Sequence, residues 1–389
     1  MVARRFHGAA DAAVTPHDAA AAADAAGGPP TGAATDAVRT RPPRVFIAAN
    51  FLSSGGGSRS VVEDLAERLR ARGYELVTAS GYRNGLLRSA HMLATATLRR
   101  GSYDVAVVDL YSGRAFLIGE ALSVALKALG RPFVLVLRGG ALPQFSARRG
   151  GRVRACLARA AAVAAPSPYL LEEMRPFHDA LRLLPNPVDL AAYDARVRRA
   201  TSPRLVWLRS FHEIYNPTLA PKVVALLAKD FPGVSLTMVG RDTGDGSLRR
   251  TREVASALGV ADRISFPGGV PKRDVPAWLD GGDIFLNTTD VDNTPVSVLE
   301  ALACGMCVVS TNVGGVPRLL EDGRDALLVP PRDAAAMASA VGRLLDDPAL
   351  AERLSREGRR KAERFDWSLV MPQWESLFES LSGRGEGAA

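Results

Sequence analysis

From residue 44 onward, short apolar runs alternate with longer stretches of helical period. The runs "RVFIAAN" (44–50), "YELVTAS" (74–80), "DVAVVDL" (104–110), "PFVLVLR" (132–138), "AAVAAPS" (161–167) and "LRLLPNP" (181–187) read as short buried strands. Between the first two, "RSVVEDLAERLRARG" places apolar residues at 61, 62, 65, 66 and 69. Ser60 and Glu63 have capping-box spacing, and Gly73 stands where a helix would stop. Strand and helix alternate in this way to about residue 188, which predicts a parallel sheet covered by helices on both faces.

The pattern restarts at residue 204. "RLVWLRS", "VSLTMVG", "RISFPGG", "IFLNTT", "CVVST" and "ALLVP" read as strands, again separated by helical stretches. The segment Asp189 to Pro203 is the expected linker, and the chain closes with three helical stretches from residue 333 to 381. The expected fold class is therefore α/β: two Rossmann-like, doubly wound parallel-sheet domains facing across a cleft. The expected boundaries are a disordered tail at 1–42, a first domain at 43–195, a second at 196–365, and a closing helix over 366–389 that packs back on the first domain before a frayed end. Two such units place a ligand cleft between them, at the carboxyl ends of the strands.

One stretch stands out, "DVDNTPVSVLEALACGMCVVSTNVGGVP" (Asp290 to Pro317). "VSVLEALA" is apolar almost all round, so its helix should be covered on most sides. Thr294 is the expected N-cap, with Pro295 at the first helical position and Gly305 at the C-terminal stop. Glu300 is then a carboxylate inside a buried helix and must meet a partner or a ligand. The free N–H groups at the helix start form a place for an anion. Together they suit a phosphorylated sugar or a nucleotide.

Composition narrows the picture. The 389 residues are 47% hydrophobic and 23% charged, as in a globular protein, and no window approaches the roughly 18 apolar residues of a membrane span. Three cysteines argue for a reducing compartment. Residues 1–42 are rich in Ala, Gly, Pro, Thr and Asp, with almost no large apolar residue after Phe6. They lack the apolar stretch of a secretory signal, and Asp11, Asp18, Asp24 and Asp36 are out of place in a transit peptide. The formal net charge of +8 is uneven: residues 1–200 hold 27 Lys and Arg against 16 Asp and Glu, and residues 201–389 hold 22 against 25. A basic first half points to an acidic acceptor or an anionic membrane surface. Nucleic acid is not expected, because zinc-finger spacing and ribonucleoprotein motifs are absent and aromatics are only 6%.

Other motifs admit a functional and a plain reading. "SSGGGSRS" lets the backbone approach a phosphate closely, or is simply a tight strand–helix turn; it lacks the dinucleotide fingerprint. Arg209 ends the first strand of the second unit and faces the expected cleft, whereas His212 reads as a structural or solvated loop residue. Arg138 ends a strand before Gly139–Gly140, and the arginines at 148, 149, 152, 154 and 159 form either an acceptor or membrane contact or a solvated helix face. The "CGMC" pair at 304–307 has redox spacing but no second pair, and reads as two small buried residues.

These residues in this order resemble the retaining glycosyltransferases of family 4, which have the GT-B fold. The likeness covers residues 44 to about 382. It rests on an acidic residue, seven residues, then Glu running into E-A-x-A-x-G, here Asp292 and Glu300. The "GGG" loop, "APS" (165–167), "LPNPVDL" (184–190), "MVG" (238–240), "FPGGV" (266–270) and "EDGRDALLVPPRD" (321–333) support it. The resemblance implies that Glu300 binds the ribose hydroxyls of a nucleotide-sugar donor. Asp292 with Asn293, Thr294 and Pro295 would hold the transferred sugar. Val296 and Ser297 N–H groups would meet the diphosphate, Arg209 would neutralise it, Gly56 and Gly57 would close over it, and Gly268 to Val270 would line the base. No cofactor and no metal are implied beyond the nucleotide-sugar co-substrate. The basic first half favours an acidic glycan or lipid-linked acceptor, and from that charge the expected location is cytoplasmic with peripheral contact at the inner membrane face.

Three positions depart from the family pattern. Asp292 stands where many members have Glu, and Ile214 and Tyr215 stand where many have a Lys. Arg138 stands where many have a His; as a permanent cation it would bind an acidic or phosphorylated acceptor. Lys222, Arg241 and Arg138 are the candidate replacements for the missing Lys. Two alternatives share the fold: a nucleotide-sugar 2-epimerase, and a non-catalytic sugar-nucleotide-binding protein. A dehydrogenase is disfavoured, because neither first strand–helix turn carries its fingerprint.

Overall fold

The computed structural model describes residues 41–51 and 60–383. The expected tail, up to residue 40, lies outside the described residues, as do the glycine loop with Gly56 and Gly57 and the end from 384.

Two six-stranded sheets form. The first contains β1 (Val45–Ala48), β2 (Leu76–Ala79), β3 (Val105–Leu110), β4 (Phe133–Leu137), β5 (Ala162–Ala165) and β6 (Leu181–Leu183), in the order β2-β1-β3-β4-β5-β6. The second contains β7 (Arg204–Leu208), β8 (Ser235–Val239), β9 (Ile264–Gly268), β10 (Ile284–Asn287), β11 (Cys307–Thr311) and β12 (Leu327–Val329), in the order β12-β11-β10-β7-β8-β9. Every pairing is parallel. The inner strands of each sheet are buried on both faces, which is why they read as continuous apolar runs rather than alternating ones.

Helix Val61–Ala71 carries the expected capping box: the Ser60 hydroxyl accepts from Glu63 N, and the Glu63 carboxylate accepts from Ser60 N. Gly73 follows with φ +84°, a left-handed stop that suits glycine. Val62, Leu65, Ala66 and Leu69 of this helix bury against Val45, Ile47, Val105, Val107, Val134 and Val136 of the first sheet. The closing helix Trp367–Leu381 covers the same face through Trp367, Val370, Met371, Trp374, Leu377 and Phe378. The two chain crossings between the sheets are stitched together, since Val188 N donates to Phe365 O, Trp367 N to Val188 O, and Leu190 N to the Asp366 carboxylate.

Helix Val296–Ala303 packs beneath the second sheet with Val206, Phe285 and Val308. Gly305 ends it at φ +69°, with Met306 N donating back to Ala301 O. Cys304 and Cys307 are buried on either side of that stop, and burial pushes their thiols up to about 11 and about 12. They fill space, as the plain reading of "CGMC" holds. Among the described residues no helix is long and apolar enough to cross a membrane.

Candidate functional site

The carboxyl edge of the second sheet assembles the site. Arg209 follows β7, Gly240 follows β8, the loop 288–295 follows β10, and helix Val296–Ala303 starts from that loop. Asp292 is held from several sides. Its Oδ1 accepts from Asn293 N at 2.8 Å, and its carbonyl accepts from Gly315 N at 3.0 Å. Gly314 and Gly315 lie so close to the Asp292 and Asn293 carbonyls that a Cβ at either position would collide with backbone. Gly140, from the first unit, abuts the Asp292 backbone in the same way. Gly140, Gly314 and Gly315 thus serve one purpose, close approach to a single loop.

Arg209 Nη2 and Asp292 Oδ2 form a half-buried ion pair. Among the described residues Arg209 Nε has no hydrogen-bond partner. The guanidinium lies over the Tyr215 ring, 4.4 Å from its centre. Tyr215, one of the positions where a Lys was expected, supplies a π face instead of a charge. Burial pushes the Arg209 guanidinium down from the ordinary arginine value, and it stays cationic at neutral pH. Gly240 abuts the Arg209 carbonyl with no room for a Cβ. Gly240→Ala is therefore expected to displace Arg209, costing about 2 kcal/mol of stability by overpacking. A melting curve unchanged from wild type would count against that tight contact.

Glu300 is 4% exposed. Its Oε1 accepts from the Tyr193 hydroxyl at 2.9 Å and from the Lys272 amine. Burial raises the Tyr193 phenol, so it remains a donor. Neither partner was visible in the sequence pattern. Tyr193 comes from the linker and Lys272 from the turn after β9, next to the expected base-lining segment Gly268 to Val270. Gly268 takes φ +83° and its carbonyl accepts from Gly240 N, and Val270 packs on the core beneath.

The start of the helix differs from expectation. Pro295, not Thr294, is the N-cap residue, and no side chain caps the end. Thr294 is drawn away, its hydroxyl pointing at the Pro166 carbonyl 3.5 Å off. The Asn293 side chain is engaged too, accepting from the Ser167 hydroxyl of the first unit. Among the described residues the N–H groups of Val296 and Ser297 and the buried Ser297 hydroxyl have no partner, whereas Val298 N and Leu299 N donate to Pro295 O.

Arg138 sits across from this edge, after β4. Its Nε donates to Asp109 at 2.8 Å and its Nη1 to Asn186 at 3.1 Å. Burial alone would lower this guanidinium; Asp109 and Tyr111 outweigh it and raise it. The charge that the sequence offered to an acceptor is thus already balanced by Asp109. Of the candidate replacements for the missing Lys, Lys222 lines a separate cavity of about 410 Å³ with Asp290, Arg250 and Arg332. His212 accepts from Ile214 N and closes its own turn. Among the described residues no group of three His, Cys, Asp or Glu side chains is placed to hold a metal ion.

Residues 202–347 match the family described as glycosyl transferases group 1. The chain is 31% identical over 227 residues to a GDP-mannose-dependent alpha-(1-6)-phosphatidylinositol monomannoside mannosyltransferase of Mycolicibacterium smegmatis, covering 56% of this chain and 57% of that protein. It is 29% identical over 265 residues to a D-inositol 3-phosphate glycosyltransferase of Paenarthrobacter aurescens, covering 64% of each. The alignments thus span less than two thirds of either relative. Among solved structures, Anabaena HepE in complex with UDP superposes with a TM-score of 0.70 at 16% identity, covering 87% of this chain and 100% of that one. Sucrose-phosphate synthase from Thermosynechococcus elongatus superposes with a TM-score of 0.74 at 20% identity, covering 88% and 100%. At these identities the superpositions speak for the fold.

Proposed function

We propose that the chain transfers a sugar from a nucleotide-sugar donor to an acceptor hydroxyl, with retention of configuration and without a metal; the match of residues 202–347 to the glycosyl transferases group 1 and the paired parallel sheets support this. One observation carries the reading. Beside the ion pair of Arg209 and Asp292, two side-chain atoms, Arg209 Nε and Ser297 Oγ, are buried with no hydrogen-bond partner among the described residues. Buried polar atoms are rarely left so, and a cluster of them at a strand edge beside open helix N–H groups is suited to a ligand.

The donor diphosphate would lie at the open turn of Val296 and Ser297, within reach of Arg209. Its charge would draw Arg209 from Asp292, freeing the carboxylate for hydroxyls of the transferred sugar. Glu300, with one oxygen held by Tyr193, would offer the other to the ribose. In the reaction the bond between the anomeric carbon and the diphosphate oxygen breaks. Its electron pair leaves with the diphosphate, whose growing charge Arg209 and the helix start stabilise. The acceptor hydroxyl attacks from the same face and gives its proton to a diphosphate oxygen. The mycobacterial relative's name includes a phosphatidylinositol mannoside, which supports a lipid-linked acceptor here.

Thermal melting against UDP-, GDP-, ADP- and dTDP-sugars tests the donor site. One nucleotide family should raise the melting temperature by mass action. A folded sample that responds to none of them would sink the reading.

A further inference from the structure

We propose that the exposed start of helix Gly85–Leu98 is a docking tip for an anionic lipid surface. This goes beyond the donor-site reading and does not depend on it.

Residues 81–87 are all exposed, and they include Tyr82 at 50%, Leu86 at 83% and Leu87 at 58%. The helix packs on its neighbours only further along, through Met92, Thr95 and Ala96. The tip nonetheless has a definite shape. Asn84 caps it, accepting from Leu86 N and Leu87 N at 2.9 and 3.2 Å, and the Tyr82 ring meets His91 edge-on at 5.2 Å. Two adjacent leucines held out into solvent on a capped helix start are costly unless something covers them.

The surrounding charge says what covers them. At the tip the chain carries Arg83 and Arg88, and from residue 76 to residue 103 it has no carboxylate. Helix Phe116–Ala128 packs beside this one and also begins at the carboxyl edge of the first sheet, where it adds exposed Arg114 and Leu117. Of the flanking carboxylates, Glu75 lies at the other end of β2, and Asp104, Asp109 and Glu120 are paired with Arg44, Arg138 and Arg152. Apolar side chains that enter a lipid boundary with cations at headgroup level fit this arrangement. A second copy of the chain fits less well, because a two-fold contact would set Arg83 and Arg88 against like charges. Leu98, exposed at the far end of the helix about 18 Å away, is not part of the tip.

Placement adds a consequence. The tip follows β2 at the same carboxyl edge of the sheet as Tyr111 and Arg138, which follow β3 and β4. A surface bound there lies beside the first unit's side of the cleft, where a lipid-linked acceptor would have to enter.

The test is co-sedimentation of the full chain with vesicles of phosphatidylcholine alone and of phosphatidylcholine mixed with phosphatidylglycerol. The chain should sediment with the mixed vesicles, and less so as salt is raised. Arg83→Gln with Arg88→Gln should weaken binding about fivefold per arginine. Leu86→Ser with Leu87→Ser should weaken it about tenfold or more. Both pairs are exposed, so the melting temperature should hold, which separates lost docking from lost folding. No binding, equal binding to both vesicles, or binding that survives both pairs of changes would overturn the proposal. So would light scattering that shows a lipid-free dimer which Leu86→Ser with Leu87→Ser turns into monomer.

Discussion

Glu300→Gln should leave the protein folded and lower its affinity for a nucleotide-sugar donor about a hundredfold, the scale of two or more kcal/mol for hydrogen bonds to a charged group. The amide oxygen can still accept from Tyr193, so the buried phenol keeps its partner. What is lost is the carboxylate charge opposite Lys272 and the strong acceptor for ribose hydroxyls. Glu300→Ala is harsher, because it strands the 4% exposed Tyr193 hydroxyl and should also lower stability by about 1–3 kcal/mol. Isothermal titration with the donor found by thermal melting separates the two effects. Wild-type affinity in a folded Glu300→Gln sample would remove Glu300 from the donor site.

Arg209→Ala is expected to act on both stability and turnover. It leaves the Asp292 carboxylate buried opposite no cation, at a cost of about 3 kcal/mol or more. It also removes the cation proposed to meet the diphosphate, for about a 10²–10³-fold loss of turnover. Adding Asp292→Asn should relieve the stranded charge and restore most of the stability while leaving turnover low. A merely structural ion pair would predict something else: the double change would recover stability and turnover together.

The strands, the doubly wound pattern and the isolation of Glu300 in an apolar helix were legible because each is a local property. Periodicity marks which face is buried, and a carboxylate in such a face is conspicuous. The partners of that carboxylate were not legible. Tyr193 and Lys272 lie 107 and 28 residues away in sequence, and no periodicity links a linker residue or a turn residue to a helix. Thr294 shows the same limit from the other side. Its spacing suits an N-cap, but the Pro166 carbonyl, 128 residues earlier, competes for its hydroxyl. Arg138 was visible as a strand-end cation, while its neutralisation by Asp109 depends on the neighbouring strand β3. Gly140, Gly314 and Gly315 were visible in the sequence as glycines, but that they close on the backbone of Asp292 and Asn293 could be learned only from the fold.

The closing helix also sets an order of completion. The face of the first sheet formed by Val45, Ile47, Val105 and Val134 is finished only when Trp367 to Phe378 arrive. On the ribosome, the residues between 189 and 366 must be made first, which takes on the order of ten to forty seconds. For that interval the earlier-synthesised half carries an uncovered apolar surface, and the later-starting half can close first. The half that emerges first is thus the last to be sealed, and its nascent form is the one most in need of a chaperone.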